Sequence, residues 1–143
     1  MGTPFTEVYD AFLAKVLDDD WDDWDEGAIE QDLSAILLAA LPNFKFPRVS
    51  LKVAEDKISF EGELQNGEIQ VLATYMKCEW YNRTILSWEN VKSLYTERDF
   101  SQANLLDKLR GLLEAERREA RRLENFYYRA PEGKSYDYKS WAN

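Results

Sequence analysis

Asp18-Asp19-Asp20-Trp21-Asp22-Asp23-Trp24-Asp25-Glu26 sets seven carboxylates within nine residues, a density that could chelate a hard cation such as calcium. A calcium loop needs oxygen donors at its first, third and fifth positions, glycine at the sixth and a bidentate glutamate at the twelfth. Counting from Asp18, the first three are met by Asp18, Asp20 and Asp22, but Asp23 stands where glycine belongs and Ile29 where the glutamate belongs. The calcium pattern fails. Two readings of Asp18, Asp19, Asp20, Asp22 and Asp23 remain. One is a solvated connection whose acids favour the positive end of the next helix while Trp21 and Trp24 pack inward; the other is a contact surface for a basic partner.

Arg117, Arg118, Arg121 and Arg122 form a second cluster. Residues four apart share a helix face, and guanidinium groups match phosphate oxygens, so the run could bind phosphate. Glu114, Glu116, Glu119 and Glu124 are interleaved with it, and Glu114–Arg118 is a favourable pair at i,i+4, which points instead to a salt-bridged, exposed helix. An inter-subunit contact and DNA are the functional alternatives. A third pattern is Tyr136, Tyr138 and Trp141 on a polar tail that cannot bury them locally. Aromatics alternating along an extended arm fit docking on another chain, with packing on the chain's own domain as the competing reading.

Much other chemistry is out of reach. The 143 residues contain no histidine and one cysteine, Cys78. Serine–histidine and cysteine–histidine catalysis, imidazole metal sites, internal disulfides and zinc cages all require more. No phosphate-binding glycine loop or nucleophile elbow occurs, so neither catalytic residue nor cofactor is expected, and Cys78 reads as a small packing residue. No apolar run approaches the roughly 18–20 residues that span a bilayer, and the N-terminus lacks a secretory pattern, which predicts a soluble protein made in a reducing cytoplasm.

The elements that must position these clusters follow from periodicity. Thr3-Pro4 predicts a helix start, with Thr3 as cap, and Phe5, Val8, Tyr9, Phe12, Leu13, Val16 and Leu17 form one apolar stripe. Ile29, Leu33, Ile36, Leu37, Ala40 and Leu41 predict a second helix, stopped by Pro42. From 44 to about 64 the period falls to two and predicts a β-hairpin in which Val53 pairs with Ile58, Leu51 with Phe60, Ser50 with Glu61 and Arg48 with Glu63. Asn66 caps a long third helix bearing Ile69, Leu72, Tyr75, Met76, Trp80, Thr84, Trp88, Val91 and Tyr95. Ser101 caps a fourth, bearing Leu105, Leu106, Leu109, Leu112, Leu113, Ala120, Leu123 and Tyr127. The expected fold is mainly α: a four-helix, bundle-like domain over 1–130 with an inserted hairpin, followed by an extended arm at 131–143.

Charge is distributed unevenly. The formal charge is −9, and residues 1–47 hold eleven acids against Lys15 and Lys45, which is the whole excess. The remainder is neutral as a group, with its arginines gathered near the C-terminal end.

Three stretches resemble a family of small virion proteins of tailed bacteriophages and prophages: Pro4 to Lys15 (PFTEVYDAFLAK), Ile69 to Arg83 (IQVLATYMKCEWYNR) and Phe100 to Leu113 (FSQANLLDKLRGLL). Helical order, size and the hairpin between two helical pairs are similar to head–tail connector proteins. That resemblance implies a non-enzymatic neck adaptor that forms a ring, typically twelvefold, between portal and tail in the virion and surrounds the channel through which DNA leaves. Its partners would be other copies of itself, the portal protein and tail or neck proteins. Arg117, Arg118, Arg121, Arg122, Tyr136, Tyr138 and Trp141 would then be assembly contacts, and an acidic channel wall would let DNA slide. A tail or baseplate component is the sibling expectation. From another class, an acidic DNA mimic would need carboxylates spread over much of the surface, whereas residues 48–143 are neutral.

Overall fold

The computed structural model describes residues 2–16, 25–92 and 100–129. The molecule is mainly helical: α1 (Phe5–Lys15), α2 (Glu26–Ala40), α3 (Asn66–Lys92) and α4 (Phe100–Arg129), with one turn of 3-10 helix at Leu41–Asn43. The arm expected at 131–143, with Tyr136, Tyr138 and Trp141, lies outside the described residues, as do Leu17, Asp18, Asp19, Asp20, Asp22, Asp23 and Tyr95. Among the described residues no helix is long and apolar enough to cross a membrane.

α1 starts at the expected place by a different device. Pro4 is its extended N-cap, with no side-chain cap, and the Thr3 hydroxyl instead accepts from the buried Leu64 N–H at 2.7 Å. Phe5, Val8, Tyr9, Phe12 and Val16 are buried as the stripe requires, whereas Leu13 is exposed. α2 is capped by Asp25, which accepts from the Ala28 N–H at 2.7 Å, and it buries Leu33, Ile36, Leu37 and Ala40. Pro42 then tightens the chain into the 3-10 turn.

α3 opens with half of a capping box. The Gln65 N–H, just before the helix, donates to Glu68 Oε1 at 3.1 Å, a role expected of Asn66. From Val71 to Met76 every residue is buried, which one apolar stripe cannot produce. The reason is position: α1, α2 and α4 all pack on α3, so it is enclosed along this stretch. α2 crosses it, since Gly27, Glu30 and Ser34 share a cleft with Phe5 and Tyr9 near the start of α1, while Asn43 reaches Glu79 of α3 at 3.2 Å. Arg83 of α3 and Asp32 of α2 form an ion pair across this crossing. α4 runs back along α3 and buries Leu106, Leu113, Ala120, Leu123 and Tyr127.

The predicted hairpin is not formed. Among the described residues there is no strand: one isolated bridge joins Val53 to Phe60, and a second joins Ser59 to Pro4 ahead of α1. The register differs as well: Val53 pairs with Phe60 rather than with Ile58. The turn explains this. Lys57 sits at φ 61 and its N–H donates to the Ala54 carbonyl at 3.0 Å, while Asp56 accepts from the Ile58 N–H and the Ser59 hydroxyl. These bonds draw Ile58 and Ser59 into the turn, and Lys52 faces Glu61 at 3.7 Å. Residues 58–62 also bond to the N-terminal segment: Phe5 N–H to the Ile58 carbonyl, Phe60 N–H to the Thr3 carbonyl and Thr3 N–H to the Gly62 carbonyl, at 2.8–3.0 Å. The approach is so close that a Cβ at Gly2 would lie 1.5 Å from the Phe60 carbonyl oxygen. Arg48 is tied to α4: its N–H donates to the Tyr127 hydroxyl and its guanidinium to the Tyr127 carbonyl, both at 2.6 Å. Phe60 packs edge-on against Phe5 at 4.8 Å, so segment 44–64 seals one end of the helical core.

Candidate functional site

On α4, Glu114, Arg117, Arg121, Glu124 and Asn125 recur at helical spacing and share a face. That face meets Tyr75, Cys78, Glu79 and Asn82 of α3, and the chain leaving the 3-10 turn adds Asn43 and Lys45. Together they line a groove of about 560 Å³. Thus the arginine cluster divides: Arg117 and Arg121 line the groove, while Arg118 and Arg122 are exposed on an adjoining face.

The groove's acids are engaged. Tyr75 donates its hydroxyl proton to Glu124 Oε1 at 3.0 Å, and both side chains are buried. Burial and then this bond hold the Tyr75 hydroxyl well above the ordinary tyrosine value. The Tyr128 hydroxyl is pushed up to about 12, by burial first and by donation to the same carboxylate second. Glu79 accepts from the Asn43 amide at 3.2 Å. Glu114 pairs with Arg117 at 3.6 Å, one residue short of the Arg118 expected, because the i,i+3 geometry brings Arg117 round to it. Arg121, which also lines the groove, donates its Nε to the Arg117 carbonyl at 3.3 Å.

Neighbouring faces are closed by ion pairs. Arg122 grips Glu119 through two bonds, of 2.9 and 2.5 Å, and lies over the Phe126 ring at 5.1 Å. The Arg122 bond holds the Glu119 carboxyl below its usual range. Round the helix pair, Lys77 of α3 meets Glu116 of α4 at 2.9 Å, beside Lys15 of α1, whose ammonium burial pushes below its ordinary value despite nearby Glu116.

The groove presents charged groups of both signs. Burial, first of several causes, pushes the Cys78 thiol up to about 11, so its thiolate is scarce near neutrality. Among the described residues no group of three potential metal ligands converges. Lys45, Tyr75 and Glu79 were not legible as groove residues from sequence; the spacing of Glu114, Arg117, Arg121 and Glu124 was the one available signal. Comparison with protein-family models, with curated proteins and with solved structures returns no match.

Proposed function

We propose that this chain is a non-enzymatic structural protein of a tailed-phage virion, acting as a head–tail connector that assembles as a ring between portal and tail around the DNA exit channel. The proposal rests on the three stretches at 4–15, 69–83 and 100–113, now seen to be α1, the enclosed half of α3 and the start of α4. The observation that carries an assembly role is the end of the molecule sealed by segment 44–64. There Phe46 is 71% exposed and Ile58 64% exposed, and α4 runs out beside Phe46, whose ring lies 6.1 Å from that of Tyr128. Apolar side chains held by a fixed backbone yet left in solvent suit a partner surface. An arm leaving from Arg129 would extend from this end to a neighbouring subunit, carrying Tyr136, Tyr138 and Trp141. Cross-linking mass spectrometry of purified particles tests the reading: links from Lys45 or Lys52 to a portal protein support the neck position, and links only to tail or baseplate proteins move it lower. The chain's absence from particles sinks both.

A further inference from the structure

We infer that segment 44–48 is a two-step strap, with an inner tie at Arg48 that stays closed while the helical core is folded and an outer tie at Phe46 that opens by itself and so governs how Phe46 is presented. The inference deepens the assembly reading, which puts Phe46 on a partner surface, but it is decided on the isolated chain. Main-chain bonds carry the first step. The Phe44 N–H returns to the Leu41 carbonyl, and the Lys52 carbonyl accepts from the Glu61 N–H. Between those anchors no strand forms among the described residues, and Pro47 has no N–H to give. The N–H groups on either side of it, those of Phe46 and Arg48, donate to the hydroxyls of Tyr128 and Tyr127 near the end of α4. Each hydroxyl in turn donates to a buried carboxylate. Tyr127 reaches Glu68 at the start of α3, and Tyr128 reaches Glu124, which also takes the Tyr75 hydroxyl of α3. Two relays of one kind, from N–H to hydroxyl to carboxylate, thus tie the strap to the helices.

The relays are built alike and seated differently. The inner one is dry: Tyr127 is 1% exposed, Glu68 and Phe44 are buried, and Phe44 packs edge-on against the tyrosine ring at 5.2 Å. Arg48 bonds there twice at 2.6 Å, through its N–H and its guanidinium, and the guanidinium also lies 4.4 Å over the ring. Exclusion of water strengthens such bonds, and breaking this relay takes a donor from a buried carboxylate. The outer relay is wet. Phe46 is 71% exposed, its N–H bond is 3.2 Å long, and its ring meets that of the half-buried Tyr128 at 6.1 Å. Water replaces that N–H bond at little cost, and Glu124 keeps its bond from Tyr75 when Tyr128 turns away. Solvent-exposed backbone bonds with few buried neighbours open first, so opening begins at Phe46 and stops at Arg48.

Amide hydrogen exchange, followed by nuclear magnetic resonance on the isotope-labelled full-length protein, tests the inference. The Arg48 amide should be protected more than about thirtyfold more strongly than the Phe46 amide. Tyr128→Phe should bring Phe46 to within about threefold of an unprotected amide and move Arg48 less than about threefold, whereas Tyr127→Phe should speed exchange at Arg48 about tenfold or more. A smaller difference between the two amides in the unaltered protein overturns the inference, with no variant needed. So does a Tyr128→Phe change that speeds both amides alike or neither, or a Tyr127→Phe change that leaves Arg48 unmoved. Two-step exchange in a chain absent from virions keeps the strap and removes the phage reading; one-step exchange in a chain found at the neck does the opposite.

Discussion

Tyr127 ties together parts of the chain that are far apart in sequence. It is 1% exposed, its hydroxyl accepts from the Arg48 N–H and donates to the buried Glu68, its ring carries the Arg48 guanidinium at 4.4 Å, and Phe44 packs edge-on against it at 5.2 Å. Tyr127→Phe keeps the ring but leaves Glu68 and Arg48 short of a partner, and urea unfolding should show a loss of about 1–3 kcal/mol. Cys78 should be slow to react: with its thiol near 11, only on the order of one molecule in a thousand is thiolate at pH 8, so maleimide labelling should become fast only on unfolding. Tyr128 sets a pH dependence. Its ordinary value is 10.0 and its folded value about 12, so the folded state holds a proton that the unfolded chain gives up between those limits. Stability from this group is full below pH 10 and falls as pH rises toward 12, and Tyr128→Phe should flatten alkaline unfolding followed by circular dichroism. At this scale the apolar stripes were legible, because burial follows spacing. Polar roles were not: Thr3 reads as a helix cap and is instead the acceptor for Leu64, a partner 61 residues away that no local pattern announces.

Among the elements, the helices were legible and segment 44–64 was not. Alternation from Val49 to Leu64 fits a hairpin, yet Asp56 and Lys57 close a turn that takes in Ile58, and the backbone of 58–62 is held by Thr3 and Phe5. Local alternation cannot reveal that competition. Likewise α3 was read as having one apolar face, although Val71, Ala73 and Cys78 lie off it, and their burial follows from three helices packing around it. Thr3→Val should leave the buried Leu64 N–H unpaired and cost about 1–3 kcal/mol, with hydrogen exchange rising first across 58–64. Deleting 134–143 should leave the helical content and unfolding midpoint nearly unchanged while weakening assembly; a truncated chain that assembles normally removes the arm from the contact.

Over the whole molecule, the uneven charge was legible from counting alone, while the groove between α3 and α4 was not. Arg117 and Arg121 become neighbours of Tyr75, Glu79 and Lys45 only when α4 folds back on α3 and the chain after α2 comes alongside. The same folding separates Arg118 and Arg122 onto an adjoining face, so a cluster continuous in sequence is divided between two faces. The acids of 1–47 and the bases of α4 then stand as complementary charges on one chain. Electron cryomicroscopy of particles made by the genome that encodes this sequence tests the proposed place in the virion neck most directly. The expected result is a ring of density between portal and tail into which the α1–α4 core fits, with segment 44–64 at a protein contact. Particles whose neck is fully accounted for by other chains would contradict it.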